Sequence, residues 1–193
     1  MENGSKKIGL RIAAGFLVAI TIIVAVFASG ITLPRQEIKT GRLTVLLIDA
    51  PVELDRLVIN ITSLEVHQVE PEGMWIPLLE ENDYPITFDL LVYQYGASLN
   101  LLSVDIEIGT YNKIRMYVSN ATAYYTAEED DPGVQLKVPP GKIDVITEFE
   151  LEDGGSKIVT IDMEPDWVHI KNNNLRPVLK ASISEDPTNS GDD

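Results

Sequence analysis

The sequence predicts an all-β chain, a two-layer β-sandwich, behind one N-terminal transmembrane helix. Three observations carry this reading. In "KIDVITEFELEDGG" the residues Ile143, Val145, Thr147, Phe149 and Leu151 alternate with Asp144, Ile146, Glu148, Glu150 and Glu152, the period of a strand with one buried and one wet face. Several other β-rich runs are separated by turns bearing Pro and Gly, which favours two packed sheets over βαβ units. An uncharged apolar run from Ile12 to Gly30 follows Lys6, Lys7 and Arg11.

Taken in order, residues 1–11 form a short cytoplasmic tail and residues 12–30 the span. Its 19 residues suffice to cross the hydrocarbon core as a helix and exceed the roughly 7–15 residues of a cleaved signal core. An uncleaved anchor is therefore favoured. Ala28 and Gly30 are nonetheless small residues at the positions a signal peptidase reads, so a released form stands as the alternative. The flanking charges tie, Arg35, Lys39 and Arg42 balancing the three bases before the span. The short tail, with its charges against the span, and the long downstream region place the C-terminal domain outside the cytoplasm, in a single-pass cell-membrane protein.

Residues 31–42, "ITLPRQEIKTGR", read as a linker, residues 43–184 as the folded domain and residues 185–193 as a disordered acidic tail. Strands are expected at "RLTVLLI", "WIPL", "ITFDL", "YNKIRMYVSNATAYY", "VQLKV" and "LRPVLKASI". In "LVINITSLEVH" the apolar phase runs through Leu57, Ile59 and Ile61 and then shifts to Leu64 and Val66. That requires a bulge near Thr62-Ser63 or a crossing between sheets, and it leaves Glu65 and His67 on the outer face. The Asp153-Gly154-Gly155 turn predicts a β-hairpin joining the 143–152 run to "KIVTIDM", with Val159, Ile161 and Met163 on one face. "YGASLNLLSV", 95–104, is the one place for a short helix.

Composition narrows the function classes. Thirty acidic against 15 basic residues give a net charge of −15, and without the first eleven residues 29 acids and 12 bases remain, a charge of −17. Such a surface does not track nucleic-acid phosphates. With no cysteine there is no disulfide framework, thiolate metal site, cysteine nucleophile or cysteine-linked lipid anchor.

Seven segments follow one another in a recognisable order: "GRLTVLLIDAP", "LVINITSLEVH", "MWIPL", "FDLL", "GTYNKIRMYV", "LKVPPGK" and "LRPVLKASI". From about Gly41 to Ile183 the chain resembles the DUF4382 family, a domain of unknown function found in exported proteins. It departs from that pattern at "EENDYP", "AEEDDPG" and "WVHIKNNN". The resemblance implies a sandwich like transthyretin or carboxypeptidase-regulatory domains, exported and often membrane-tethered, and it brings no catalytic residues.

Asp49, with Pro51, is explained by turn chemistry, an Asp side chain bonding its own following backbone while Pro51 fixes φ. Gly109 and Pro177 are likewise read as structural turn positions. His67 and His169, with Glu65 or Asp166, are weak metal candidates, since imidazole and carboxylate suit zinc, copper or nickel but their spacing forms no local motif. Glu128, Asp130 and Asp131 in "EEDDPG" are weak calcium candidates without the alternating ligand spacing of an EF-hand loop. No G-x-S-x-G or H-E-x-x-H motif occurs, and no enzyme, metal or cofactor is expected. Asn60 and Asn120 begin sequons; Asn60 opposes the apolar face, whereas Asn120 lies in phase with Ile114, Met116 and Val118. Trp75, Trp167, Tyr124 and Tyr125 are the aromatics to examine at a binding surface, with packing as the competing explanation.

The reading reached is a membrane-anchored, extracytoplasmic binding or structural module of the cell envelope, holding the membrane through residues 12–30 and touching an envelope protein or polysaccharide. The alternatives are a released subunit of a surface filament or matrix, self-associating by strand donation from the linker, and a metal-dependent enzyme using His67 and His169.

Overall fold

Period-two burial along ten strands organises the domain. The computed structural model describes residues 38–49, 52–71 and 73–186. The expected span at 12–30 and most of the linker lie outside these, and no helix among the described residues is long and apolar enough to cross a membrane. The strands are β1 (Thr40–Asp49), β2 (Arg56–Gln68), β3 (Met74–Pro77), β4 (Ile86–Asp89), β5 (Leu99–Glu107), β6 (Gly109–Tyr124), β7 (Val134–Leu136), β8 (Lys142–Leu151), β9 (Ser156–Glu164) and β10 (Val178–Glu185), with a single helical turn α1 (Trp167–Lys171) before β10. The first strand thus starts at Thr40, three residues earlier than the sequence reading placed the domain.

Two sheets share one core. The smaller has the order β10-β9-β1-β5, with β1 parallel to β9 and the other pairs antiparallel. The larger is built on the β2–β6 pair. Here β3 and β4 pair with opposite halves of β2, and β7 and β8 with opposite halves of β6. Leu43, Val45 and Leu47 of the small sheet and Leu57, Ile59, Ile61, Ile114 and Met116 of the large one are fully buried in a single cluster. At about 25 cal/mol per Å² of apolar surface, that cluster is the main stabilising term.

The phase change in β2 is a bulge, not a crossing. Register slips between Ile61 and Ser63, so Leu57, Ile59 and Ile61 before it and Leu64 and Val66 after it all reach the core. The partner strand carries its own correction. Asn60 faces Asn120 while Ile61 faces Val118, which leaves Ser119 as the extra residue. Asn120 is therefore exposed, contrary to its expected phase, and Ala121 and Ala123 are the buried positions beyond it.

Two further expectations are corrected. β8 and β9 do not form a hairpin: β8 pairs with β6 in the large sheet and β9 with β1 and β10 in the small one. The chain crosses between sheets at Asp153-Gly154-Gly155, and both inward faces still meet the core. Gly41 makes the crossing possible, because a Cβ there would sit 2.7 Å from the Glu152 carbonyl oxygen and from Leu151 Cγ. The helix expected at 95–104 is instead the start of β5, whose alternation Leu102, Val104, Ile106 against Ser103, Asp105, Glu107 runs past that window.

The β5–β6 crossing is pinned by Gly109 and Tyr111. Gly109 takes φ 149°, and a side chain there would meet the Gln68 amide. Tyr111 is fully buried, stacks on Phe149 at 5.3 Å, and its hydroxyl donates to the Glu107 carbonyl at 2.6 Å, tying the strand to the corner it has just turned. Burial, with the nearby Glu107 carboxylate, pushes the phenol up to about 12. Tyr111→Phe is expected to cost about 1–3 kcal/mol in urea unfolding, because it strands a carbonyl. The unfolded phenol ionises near pH 10 and the folded one only near 12, so the native protein should lose stability as pH rises through that window. That loss should be absent from Tyr111→Phe.

Candidate functional site

Strand direction gathers four connections at one end of the domain. Register partners fix this end: Leu47 with Leu99, Val58 with Asp89, Arg56 with Tyr124, Ala123 with Val134, Asp49 with Met163, and Val178 with Glu164. The segments 52–55, 90–98, 125–133 and 165–177 therefore cluster there. The first strand begins and the last strand ends at the opposite end, where Arg42 pairs with Ser156 and Glu185 with Lys157. Loops gathered at one end of a sandwich and positioned by its rigid sheets are a recurrent place for binding.

A carboxylate organises each of these loops except the first. Asp89 Oδ1 accepts from the backbone N–H of Leu57 and of Leu91, capping the 3₁₀ turn Leu90–Tyr93 and fastening it to the start of β2. Asp49, buried at the end of β1, accepts from the Gln94 amide at 2.9 Å. Asp131 accepts from the backbone N–H of Tyr125, Thr126 and Gly133 and from the Thr126 hydroxyl, closing the loop 125–133 upon itself. Asp166 stands 3.0 Å from His169 Nδ1 on α1, whose Ile170 plugs the core. Segment 52–55 is held instead by the Asp55 N–H bond to the Tyr124 carbonyl, beside the Arg56 guanidinium 4.0 Å over the Tyr124 ring.

On this foundation the 90–98 loop presents Tyr95. It is 89% exposed and takes φ 56°, a left-handed conformation that costs a side-chain-bearing residue about 1–3 kcal/mol and persists only where its surroundings impose it. Here the Gln94–Asp49 bond on one side and Gly96 at φ 93° on the other impose it. Val92, 63% exposed, belongs to the same loop, and Tyr125 and Val178 are exposed apolar residues of the same end. Glu53, Glu128, Glu129 and Asp130 add exposed negative charge.

The residues singled out from sequence fall in several places. Asp49 is a buried anchor of the 90–98 loop, and Pro51 lies outside the described residues. Pro177 immediately precedes β10. Of the calcium candidates, Asp131 has both oxygens turned to loop donors, while Glu128 and Asp130 point to solvent. His67 is half-buried on the outer face of the large sheet, hydrogen-bonded through Nδ1 to Asn112 Oδ1 at 2.8 Å and 4.9 Å from the Trp75 ring. Arg115 lies 3.8 Å over that same ring, paired bidentately with Asp144 at 2.7 and 2.9 Å; the pair raises the guanidinium and lowers the carboxyl.

His67 stands near the β2 terminus and His169 at the loop end, so strand rise separates them by roughly 30 Å along the domain. The two histidines are thus not brought together, and among the described residues no group of three His, Asp or Glu is placed to hold a metal ion. Asn60 is engaged with Thr87 and Ser119, and Asn120 is exposed beside it. Tyr124 packs under Arg56; the Trp167 side chain lies outside the described set. Tyr95 was missed in the sequence reading, although a tyrosine set directly before a glycine in a turn was the available signal.

The Gly133 N–H, desolvation notwithstanding, leads the donors that hold Asp131 below the usual carboxylate value of 3.8. A depressed folded pKa gives stability that is present above 3.8 and lost as pH falls through the lower folded value. Amide protection at Tyr125, Thr126 and Gly133 should therefore survive at pH 3.8 and be lost only as pH falls on through the lower folded value, and Asp131→Ala should abolish it at neutral pH, read by hydrogen exchange.

Compared with known families, residues 40–181 match the one described as a domain of unknown function, DUF4382. Neither a curated protein nor a solved structure matches the chain.

Proposed function

Starting from the premise that the chain belongs to the DUF4382 family, a domain of unknown function, we propose that it is a binding module of the cell envelope. Residues 12–30 tether it in the membrane, and the domain, a sandwich of the transthyretin-like or carboxypeptidase-regulatory-like kind, stands outside the cytoplasm. The loop end is its recognition surface. One observation carries the reading: an almost fully exposed tyrosine, Tyr95, is held in a costly backbone conformation by the turn that the Ala97 N–H closes on the Gln94 carbonyl and by the half-buried Gln94–Asp49 bond beneath it. Exposed aromatics preorganised in this way are what binding surfaces use as anchors. The topology supports it, since the first described strand begins, at Thr40, at the end opposite the loops. Binding is favoured over catalysis because Asp49, Asp89 and Asp131 are taken up by the protein's own donors.

The test is made on the full chain in its own cells, carrying a photo-crosslinking amino acid at Tyr95 or, as a control, at the exposed sheet-face residue Ile146. The expected outcome is a discrete adduct from position 95 alone, in a domain that external protease digests on intact cells. The same adducts from both positions, none from 95, or digestion only after lysis would overturn the reading.

A further inference from the structure

The small sheet ends in β5, which among the described residues pairs with β1 alone. Which β5 backbone groups are left over follows from the opposite side of β1. The Arg42 N–H donates to the Gly155 carbonyl and the Thr40 carbonyl accepts from Gly154, so these two residues turn their backbone groups away from β5. In an antiparallel ladder the residue opposite such a position also turns its groups outward, and the pattern repeats every second residue. Arg42 faces Asp105, Thr44 faces Ser103 and Thr40 faces Glu107. The N–H and C=O of Ser103 and Asp105 therefore point to an edge that no other described strand pairs, while at its far end the Glu107 carbonyl is taken by the Tyr111 hydroxyl.

Alongside that edge runs a groove of about 610 Å³. β3 and β4 pair with separate halves of β2, and the connection 78–84 arches over the gap between them, held by Leu78 N–H to the Leu64 carbonyl and Leu64 N–H to the Tyr84 hydroxyl. Leu79, Tyr84 and Val104, half-buried and continuous with the core, supply an apolar floor. The arch contributes Glu80, Glu81 and Asp83, all exposed, and no cationic side chain of the described residues pairs with them.

We propose that this groove receives an extended, cationic segment of a partner protein, which adds as a strand to β5. Three independent features specify the occupant. The free edge asks for extended backbone, with main-chain bonds to Ser103 and Asp105. The apolar floor takes alternate side chains from one side of such a strand. The carboxylates on the arch, two of which cap its 3₁₀ turn through backbone N–H groups and none of which meets a cation among the described residues, favour lysine or arginine between them. An open edge is a liability unless it is covered or used, and β5 has neither a proline nor a lysine to blunt it. The site is separate from the loop end and does not depend on it.

The test uses the full chain in detergent micelles with a synthetic peptide alternating lysine and valine. Its controls are a version alternating glutamate and valine and one N-methylated at alternate residues. The expected result is saturable binding of the lysine peptide with slowed hydrogen exchange at Ser103 and Asp105. N-methylation and Ser103→Pro should each weaken binding about tenfold, the loss of one or two main-chain bonds, whereas Tyr95→Ala should leave it unchanged. Circular dichroism checks that Ser103→Pro folds; should it not, the N-methylated peptide decides. Absence of binding, equal binding of the N-methylated peptide, which would mean charge adsorption alone, or exchange protection that rises with protein concentration in the absence of peptide, which would mean a second copy on the edge, would overturn the proposal.

Discussion

The pairing of β2 with β6 is the constraint on which the rest of the domain depends. Both strands are long, and over such a length a single uncorrected slip would turn half of the inward side chains to solvent. Each strand therefore carries a compensating extra residue, around Thr62 in β2 and at Ser119 in β6, so that Leu57 through Val66 and Ile114 through Ala123 stay on one face. Because these strands span the domain, they also fix where everything else attaches. β4 and β7 occupy one half of the pair and β3 and β8 the other, which sets the positions of the arch, the groove and the loop end.

The acidity of the chain has an architectural side. Several carboxylates are spent inside the loops, where Asp49, Asp89 and Asp131 collect donors that the turning backbone leaves unpaired. Others are neutralised in register across strands, as with Arg42 and Asp105 or Arg115 and Asp144. Exposed carboxylates outside any ion pair lie on the 78–84 arch, at the loop end and on the outer face of β8, where Glu148 and Glu150 precede Glu152. Acidity thus serves order inside the loops and across strands and leaves charge exposed elsewhere.

Side-chain alternation made the buried face of nearly every strand legible. It told correctly that Val145 and Phe149 point inward, and equally that Val159 and Ile161 do. It did not tell that these two strands lie in different sheets, because a hairpin and a crossing place the same residues on the same faces; the difference lies in Gly41, whose missing side chain lets β1 approach the crossing. The β5 strand was obscured by a bulge beside Leu46, which sets Leu101 and Leu102 side by side and imitates a helical spacing. Function-related positions were less legible still. Asp49, read from sequence as a corner, also anchors a loop 45 residues away, and the edge offered by Ser103 and Asp105 consists of backbone, which no side chain announces.

The parallel β1–β9 pair has a mechanical consequence. β1 receives the chain at Thr40 and runs to the loop end at Asp49, flanked by β9 on one side and β5 on the other. If a tethered domain is gripped at its loop end, tension travels along β1 and tries to slide it past β9. In that geometry the rungs between Arg42 and Asp49 are loaded together instead of being peeled one at a time. β1 would then yield only when the whole ladder fails at once, so the sheet order that closes the core also makes the domain stiff to a load applied between Thr40 and its loop end.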